Sequence, residues 1–247
     1  MTAYSEKLKL WIIGLLVCLF VPPAGASDFW TKKPYQNWSA DETQRMLQES
    51  PWATTLTLGG VQNSVMNIGA PNSRGSGAGS SGEMETDSSI SYTLQFRSAR
   101  PIREAQIRAA QLNSHYDKME PAQKAAFDAS TAKFLAATFP DRVIVAVTFH
   151  AKVPEDEIAL RTYWTDQSLS KLSMTVFLNT KTERLSLLAY GFKDDTFQFT
   201  FPRPKLLSQD EKIGVEFIHP RINAIVQQRI LQEFPVKKMM VEGEPTI

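Results

Sequence analysis

Two of the three histidines in the sequence stand at the ends of predicted strands. His150 closes the apolar run that starts at Arg142, and His219 follows the apolar run 213–218. If the two strands pair in one sheet, both imidazoles could meet a carboxylate of the acidic stretch 155–157, a donor set for a metal ion or for acid–base catalysis. The alternative is a strand-end residue half in water. We follow that alternative and expect no metal and no cofactor, but keep His150 and His219 as a second candidate site.

Two short patterns match known motifs by spacing alone. Gly77-x-Gly79-x-x-Gly82 has the spacing of a dinucleotide-binding loop, but an acidic run follows it where a helix amino end would have to receive a phosphate. Ser168-x-x-Lys171 has the spacing of the penicillin-binding serine and lysine, but it precedes a predicted strand instead of opening a helix. Neither pattern predicts an active site, and the sequence favours a protein that is not an enzyme.

Four tryptophans are the first candidates for ligand contact, because exposed indoles stack on sugars and anchor peptide partners. Trp30, Trp38 and Trp52 surround one predicted helix, and Trp164 stands in a polar-flanked aromatic pair. The alternative is structural. The three amino-terminal indoles would then hold their helix against the sheet.

The first 26 residues have the composition of a secretory signal peptide. Lys7 and Lys9 form a basic start, an apolar run covers 10–20, and the small residues 24–26 precede the predicted cleavage site. The apolar run is about half of the ~20 residues that a membrane-spanning helix needs. We therefore expect export to the periplasm or the extracellular space, with no transmembrane span after cleavage.

Cleavage would remove Cys18, the only cysteine of the chain, and with it any disulfide or thiolate chemistry. Val17 precedes Cys18 where a lipobox requires a small residue, so we do not expect a lipid anchor. Lys7, Lys9 and Glu6 would also be lost, which leaves a formally neutral chain. Without a basic run, nucleic acid is not an expected partner.

The amino-terminal part of the exported chain contains one helix, one strand and one long loop in our prediction. Ser39 and Glu42 have the spacing of a capping box, and Ser50-Pro51 ends the helix. A strand follows over 52–58. Residues 67–89 are rich in Gly, Ser, Asn and acidic residues, which predicts a flexible loop before the alternating strand 90–96.

The rest of the chain groups its helices before most of its strands. Helical spacing of apolar residues predicts helices over 101–113 and 121–138, each with proline in its first turn. Beyond Pro140 the period changes to two, and the predicted strands cover 142–150, 171–179, 184–192, 196–201, 213–218 and the second half of 222–240. This order predicts one α+β domain over 27–247. Its mostly antiparallel sheet has about six to eight strands, with the two main helices on one face.

The amino-terminal motif resembles that of a group of uncharacterised secreted bacterial proteins. The resemblance rests on Trp38-Ser39-x-x-Glu42 and Ser50-Pro51-Trp52-Ala53, and it continues in short pieces near Phe96 and Phe234. It implies export and a tryptophan-rich start that is integral to the fold. It implies no catalytic or binding residue.

These observations predict a secreted, periplasmic, non-catalytic binding or scaffolding protein. Its expected partner is an envelope protein, a peptide or a glycan. The alternative is an envelope hydrolase whose site assembles from scattered acids, His150 and His219.

Overall fold

A computed structural model describes residues 29–59, 88–205 and 212–247. The predicted signal peptide, the motif Gly77-x-Gly79-x-x-Gly82 and the predicted loop up to residue 87 lie outside these ranges. The chain divides into two compact units, Met1–Lys33 and Pro34–Ile247. The prediction of one domain over 27–247 stays a prediction. None of the helices in the described ranges is both long enough and apolar enough to cross a membrane.

Local sequence signals explain where the first helices begin. The helices are α1 Phe29–Lys32, α2 Ala40–Gln48, α3 Arg100–Asn113, α4 Pro121–Ala136, α5 Pro154–Thr165 and α6 Leu169–Leu172. The predicted capping box of α2 is confirmed: Glu42 N donates to Ser39 Oγ (3.2 Å), and Ser39 N donates to a Glu42 carboxylate oxygen (2.8 Å). Proline stands in the first turn of α3, α4 and α5.

The strands form antiparallel sheets, so the predicted α+β class is confirmed. The strands are β1 Ala53–Gly59, β2 Ser89–Phe96, β3 Arg142–Ala151, β4 Phe177–Asn179, β5 Arg184–Ser186, β6 Ala189–Lys193, β7 Thr196–Pro202, β8 Lys212–His219, β9 Gln228–Pro235, β10 Met240–Val241 and β11 Glu244–Pro245. A five-stranded sheet has the order β1-β2-β3-β7-β6, a four-stranded sheet has the order β5-β4-β8-β9, and β10 pairs with β11. The main strands thus divide between two sheets, whereas the order of elements in the sequence predicts one.

Aromatic side chains join the two main sheets face to face. Tyr92 of β2 contacts Phe217 of β8 edge-on, with ring centroids 5.4 Å apart, and Phe96 contacts Phe234 of β9 in the same way at 4.9 Å. Phe197 of β7 lies 5.8 Å from Phe217. All five rings are buried. The facing surfaces of the sheets therefore form the core.

Helix α5, which is not among the predicted helices, completes this core. Its Trp164 is fully buried and stacks on Phe197 with ring centroids 3.9 Å apart. Tyr190 OH of β6 donates to the Trp164 carbonyl (2.5 Å). Helix α6 also occupies the start of the strand predicted over 171–179. Helix α5 buries only Asp156, Leu160 and Trp164. The stretch 154–172 therefore shows no clear apolar stripe from which a helix could be predicted.

Helices α2 and α3 lie on the other face of the five-stranded sheet. Gln95 alternates with the inward-facing Leu94 and Phe96, and its Nε2 donates to the Leu47 carbonyl of α2 (2.8 Å). Gln106 of α3 contacts Gln95 as well. Arg103 of α3 donates to the Phe134 carbonyl of α4 (3.1 Å). Helix α4 buries no residue, so it lies outside α3 as an outer layer.

We expect Trp164→Ala to destabilise the protein by about 3–5 kcal/mol, because it removes the ring that stacks on Phe197 and leaves a cavity between α5 and the sheets. Urea unfolding measures the change in the free energy of unfolding. It is followed by far-UV circular dichroism, because the substitution removes a tryptophan and would alter a fluorescence signal. The control is Leu188→Ala. Because the Leu188 side chain is exposed, this substitution should change the unfolding free energy by about 0.5 kcal/mol at most. Equal effects of the two substitutions would contradict the packing described here.

Candidate functional site

The tryptophans kept as ligand contacts are mostly in the interior. Trp38, Trp52 and Trp164 are fully buried. Trp52 Nε1 donates to the Thr246 carbonyl (2.5 Å), and the Trp38 carbonyl accepts from Arg108 Nε of α3 (2.8 Å). These three indoles cannot stack on a ligand at the surface, because packing covers their faces. Trp30 lies half-buried in α1, and its role as a contact stays a prediction.

The two candidate histidines do not meet. His150 lies opposite Ser91 on β2, whereas His219 hydrogen-bonds through Nδ1 to the hydroxyl of Tyr92, the next residue of β2 (2.7 Å). Successive strand residues point to opposite faces of a sheet. His150 is therefore exposed on the outer face, and His219 is buried in the core. Within the described ranges, no group of three or more His, Cys, Asp and Glu side chains could hold a metal ion.

The acidic stretch 155–157 splits between two environments. Glu157 lies 2.8 Å from His150 Nδ1 and also accepts from the Ala151 amide (3.1 Å), so one predicted histidine–carboxylate pair forms. Asp156 is buried instead, and it accepts hydrogen bonds from Ser88 Oγ and Asn223 Nδ2. Asp156 thereby ties α5 to the segment before β2 and to the β8–β9 connection.

His219 is an uncharged interior group. Burial lowers its pKa from 6.5 to about 4. Its Nε2 atom is buried and has no hydrogen-bond partner among the described residues. Burial also raises the pKa of its partner Tyr92. A histidine and a tyrosine that both stay neutral at pH 7 pack as core residues.

An arginine–glutamate cluster lies on the outer face of the four-stranded sheet. Glu216 of β8 is almost buried and accepts from Arg184 of β5 (3.0 Å) and from Asn179 Nδ2 of β4 (2.8 Å). Arg229 of β9 approaches the same Glu216 oxygen as Arg184 does, at 3.3 Å. Both arginine side chains remain about half or more exposed. Arg184 also lies over the ring of Phe177, 3.7 Å from its centroid.

These side chains border an open groove of about 530 Å³, which we call the arginine groove. The groove is lined by Asn179, Thr180, Lys181, Arg184, Lys212, Gly214, Glu216, Arg229, Leu231 and Glu233. A Cβ atom at Gly214 would lie 3.0 Å from Leu231 Cδ1, so glycine keeps the floor of the groove low. Lys212 pairs with Glu233 (2.6 Å). Four cationic side chains face two carboxylates, which leaves the groove positively charged.

This cluster is not predictable from local sequence patterns, because its members come from four separate strands. One signal was present. Glu216 is a lone acid in the otherwise apolar run 213–218, and a buried carboxylate has to be paired. The sequence does not say which cations pair with it, since that depends on the order β5-β4-β8-β9.

Comparison with known proteins finds no match to this chain among family models, curated proteins or solved structures. The resemblance to a secreted bacterial group stays a prediction.

His219 should make stability depend on pH in one window. Because its pKa is about 4 in the fold against 6.5 for an unperturbed histidine, the unfolded chain binds the proton first. The free energy of unfolding is then highest above pH 6.5, falls as the pH drops towards 4, and levels off below it. The loss attributable to this group is about 3 kcal/mol.

Urea unfolding between pH 7 and pH 4 tests this expectation. His219→Gln should flatten the pH dependence over this window, whatever its effect on stability at pH 7. His150→Gln, at an exposed position, should leave the slope as in the unmodified protein. A steep slope that persists in His219→Gln would assign the pH dependence to other groups.

Proposed function

We propose that the protein is an exported, non-catalytic binding protein and that the arginine groove binds an acidic peptide segment of an envelope protein. One observation carries the proposal: Arg184 and Arg229 converge on one oxygen of Glu216 while their side chains stay 52% and 67% exposed. One carboxylate balances one of the two positive charges. The second charge is available to a ligand.

The cluster is organised in advance of binding. The ring of Phe177 supports the plane of the Arg184 guanidinium, and Glu216 orients both arginines from below. Asn179 occupies the other Glu216 oxygen. Side chains that are already ordered lose less conformational entropy on binding. Because a guanidinium presents several N–H groups in one plane, its free edge suits a ligand carboxylate.

Charge and apolar surface occur together in the groove, which supports a peptide ligand. Leu231 is 52% exposed and lies between the charged side chains of β9. A peptide that alternates acidic and aliphatic residues would pair its carboxylates with Arg184 and Arg229 and cover Leu231. Export, which residues 1–26 predict, would place this groove in contact with other envelope proteins.

The alternative, an envelope hydrolase built on His150 and His219, has less support. It requires both imidazoles in one site. His150 is on the exposed face of β3, and His219 is in the core against Tyr92. A substrate could reach only the first of them.

Fluorescence anisotropy with a labelled peptide of alternating Glu and Leu tests the proposal. We expect saturable binding that weakens with added salt, as screening predicts for ion pairs. Arg184→Gln and Arg229→Gln should each raise the dissociation constant by about tenfold or more, since a hydrogen bond to a charged group contributes about 1.5–3 kcal/mol.

Two controls make the result specific. Arg142→Gln removes an exposed arginine that pairs with Asp141 away from the groove, and it should leave binding unchanged. The matched peptide with Gln in place of Glu should not bind. The absence of peptide binding would refute the proposal, and binding of polygalacturonate in place of the peptide would assign the groove to an anionic glycan.

A further inference from the structure

Strand β1 is an outer strand of the five-stranded sheet, and its pairing to β2 fixes which backbone groups point away. Phe96 N donates to the Trp52 carbonyl (2.9 Å). The carbonyl of Trp52, the residue before β1, therefore points towards β2. In an antiparallel pair, the backbone N–H and C=O groups of successive residues point alternately towards the partner strand and away from it. Thr55 and Thr57 therefore direct their N–H and C=O groups outward.

Two contacts agree with this alternation. Ala53, two residues before Thr55, uses its outward N–H and C=O groups to pair with Ser50 (3.2 and 2.9 Å). Thr55 and Thr93 bring their hydroxyls to 2.9 Å, as expected where side chains of a non-hydrogen-bonded pair approach closely. No described strand pairs with the outward edge of β1.

The other outer strands carry features that discourage pairing, and β1 does not. Strand β5 has three residues. Strand β9 carries Arg229 and Glu233 and ends at Pro235, and β6 ends at Lys193. From Thr55 to Leu58, β1 alternates threonine with leucine. The strand contains no charged residue and no proline. Natural sheet edges of this kind are normally protected unless they pair.

We propose that β1 pairs with β1 of a second copy of this chain, antiparallel, about a two-fold axis at Leu56. In this register Thr55 lies opposite Thr57 of the other copy, and the outward N–H and C=O groups of both residues are satisfied. Leu56 lies opposite itself. The segment is thus its own complement, which a two-fold interface requires. The result is one continuous ten-stranded sheet across the dimer.

Sedimentation velocity over a concentration series tests this dimer. The unmodified protein should sediment as a dimer that dissociates on dilution. Thr57→Lys places a charge at the paired edge and should give a monomer at every concentration. Ala189→Lys makes the same change on the exposed edge strand β6, and it should remain dimeric. Thr57→Pro removes an outward N–H that takes no part in the β1–β2 pairing, and it should also be monomeric.

Disulfide trapping tests the register. With Cys18 replaced by serine, Leu56→Cys should form a covalent dimer on mild oxidation, because cross-strand Cβ atoms of a non-hydrogen-bonded pair lie about 4.5–5.5 Å apart. Thr55→Cys should not, since it lies opposite Thr57. A monomeric unmodified protein, or a dimer that persists in Thr57→Lys, would overturn the proposal. Equal trapping at both positions would overturn the register.

Discussion

The stacking of Trp164 on Phe197, against the ring of Phe217, is the interaction on which the rest of the fold depends. Each main sheet has one face of alternating apolar and aromatic side chains that must be removed from water. The four-stranded sheet covers part of the inner face of the five-stranded sheet. Helix α5 places Trp164 against β7, and the aromatic core becomes continuous from Tyr92 to Phe199.

This packing decides what the polar residues near the core can do. His219, the last residue of β8, lies in the interior. Its Nδ1 atom hydrogen-bonds to the Tyr92 hydroxyl, and its imidazole stays neutral. Asp156 lies about one turn before Leu160 and about two turns before Trp164 in α5, and it accepts hydrogen bonds from Ser88 and Asn223. Residue types that suggest catalysis in the sequence are here partners of one another. They hold α5 and the strand ends in place.

Because the inner faces of the two main sheets are buried against each other, binding has to take place at their outer surfaces. One end of the outer face of the five-stranded sheet is covered by α2 and α3. On the outer face of the four-stranded sheet, strand pairing brings Arg184, Arg229 and Glu216 together. The arginine groove and the edge of β1 belong to different sheets, so a peptide ligand and a second copy of the chain would bind at separate places.

Local signals in the sequence determined the α+β class, the capping box of α2, the proline starts of α3 and α4, and the strands around Tyr92, Val145, Phe199 and Val215. These depend on residues within a few positions of each other. Tertiary structure alone decided the rest. The strands divide into two sheets because one face of each has to be buried against another layer, and α5 forms because its few buried residues fit between them. Trp38, Trp52 and Trp164 became core for the same reason. Periodicity says that a side chain shares a face with its neighbours, but strand order decides whether that face is interior. It therefore also decided that His150 and His219 lie apart and that two arginines from β5 and β9 share the carboxylate of Glu216.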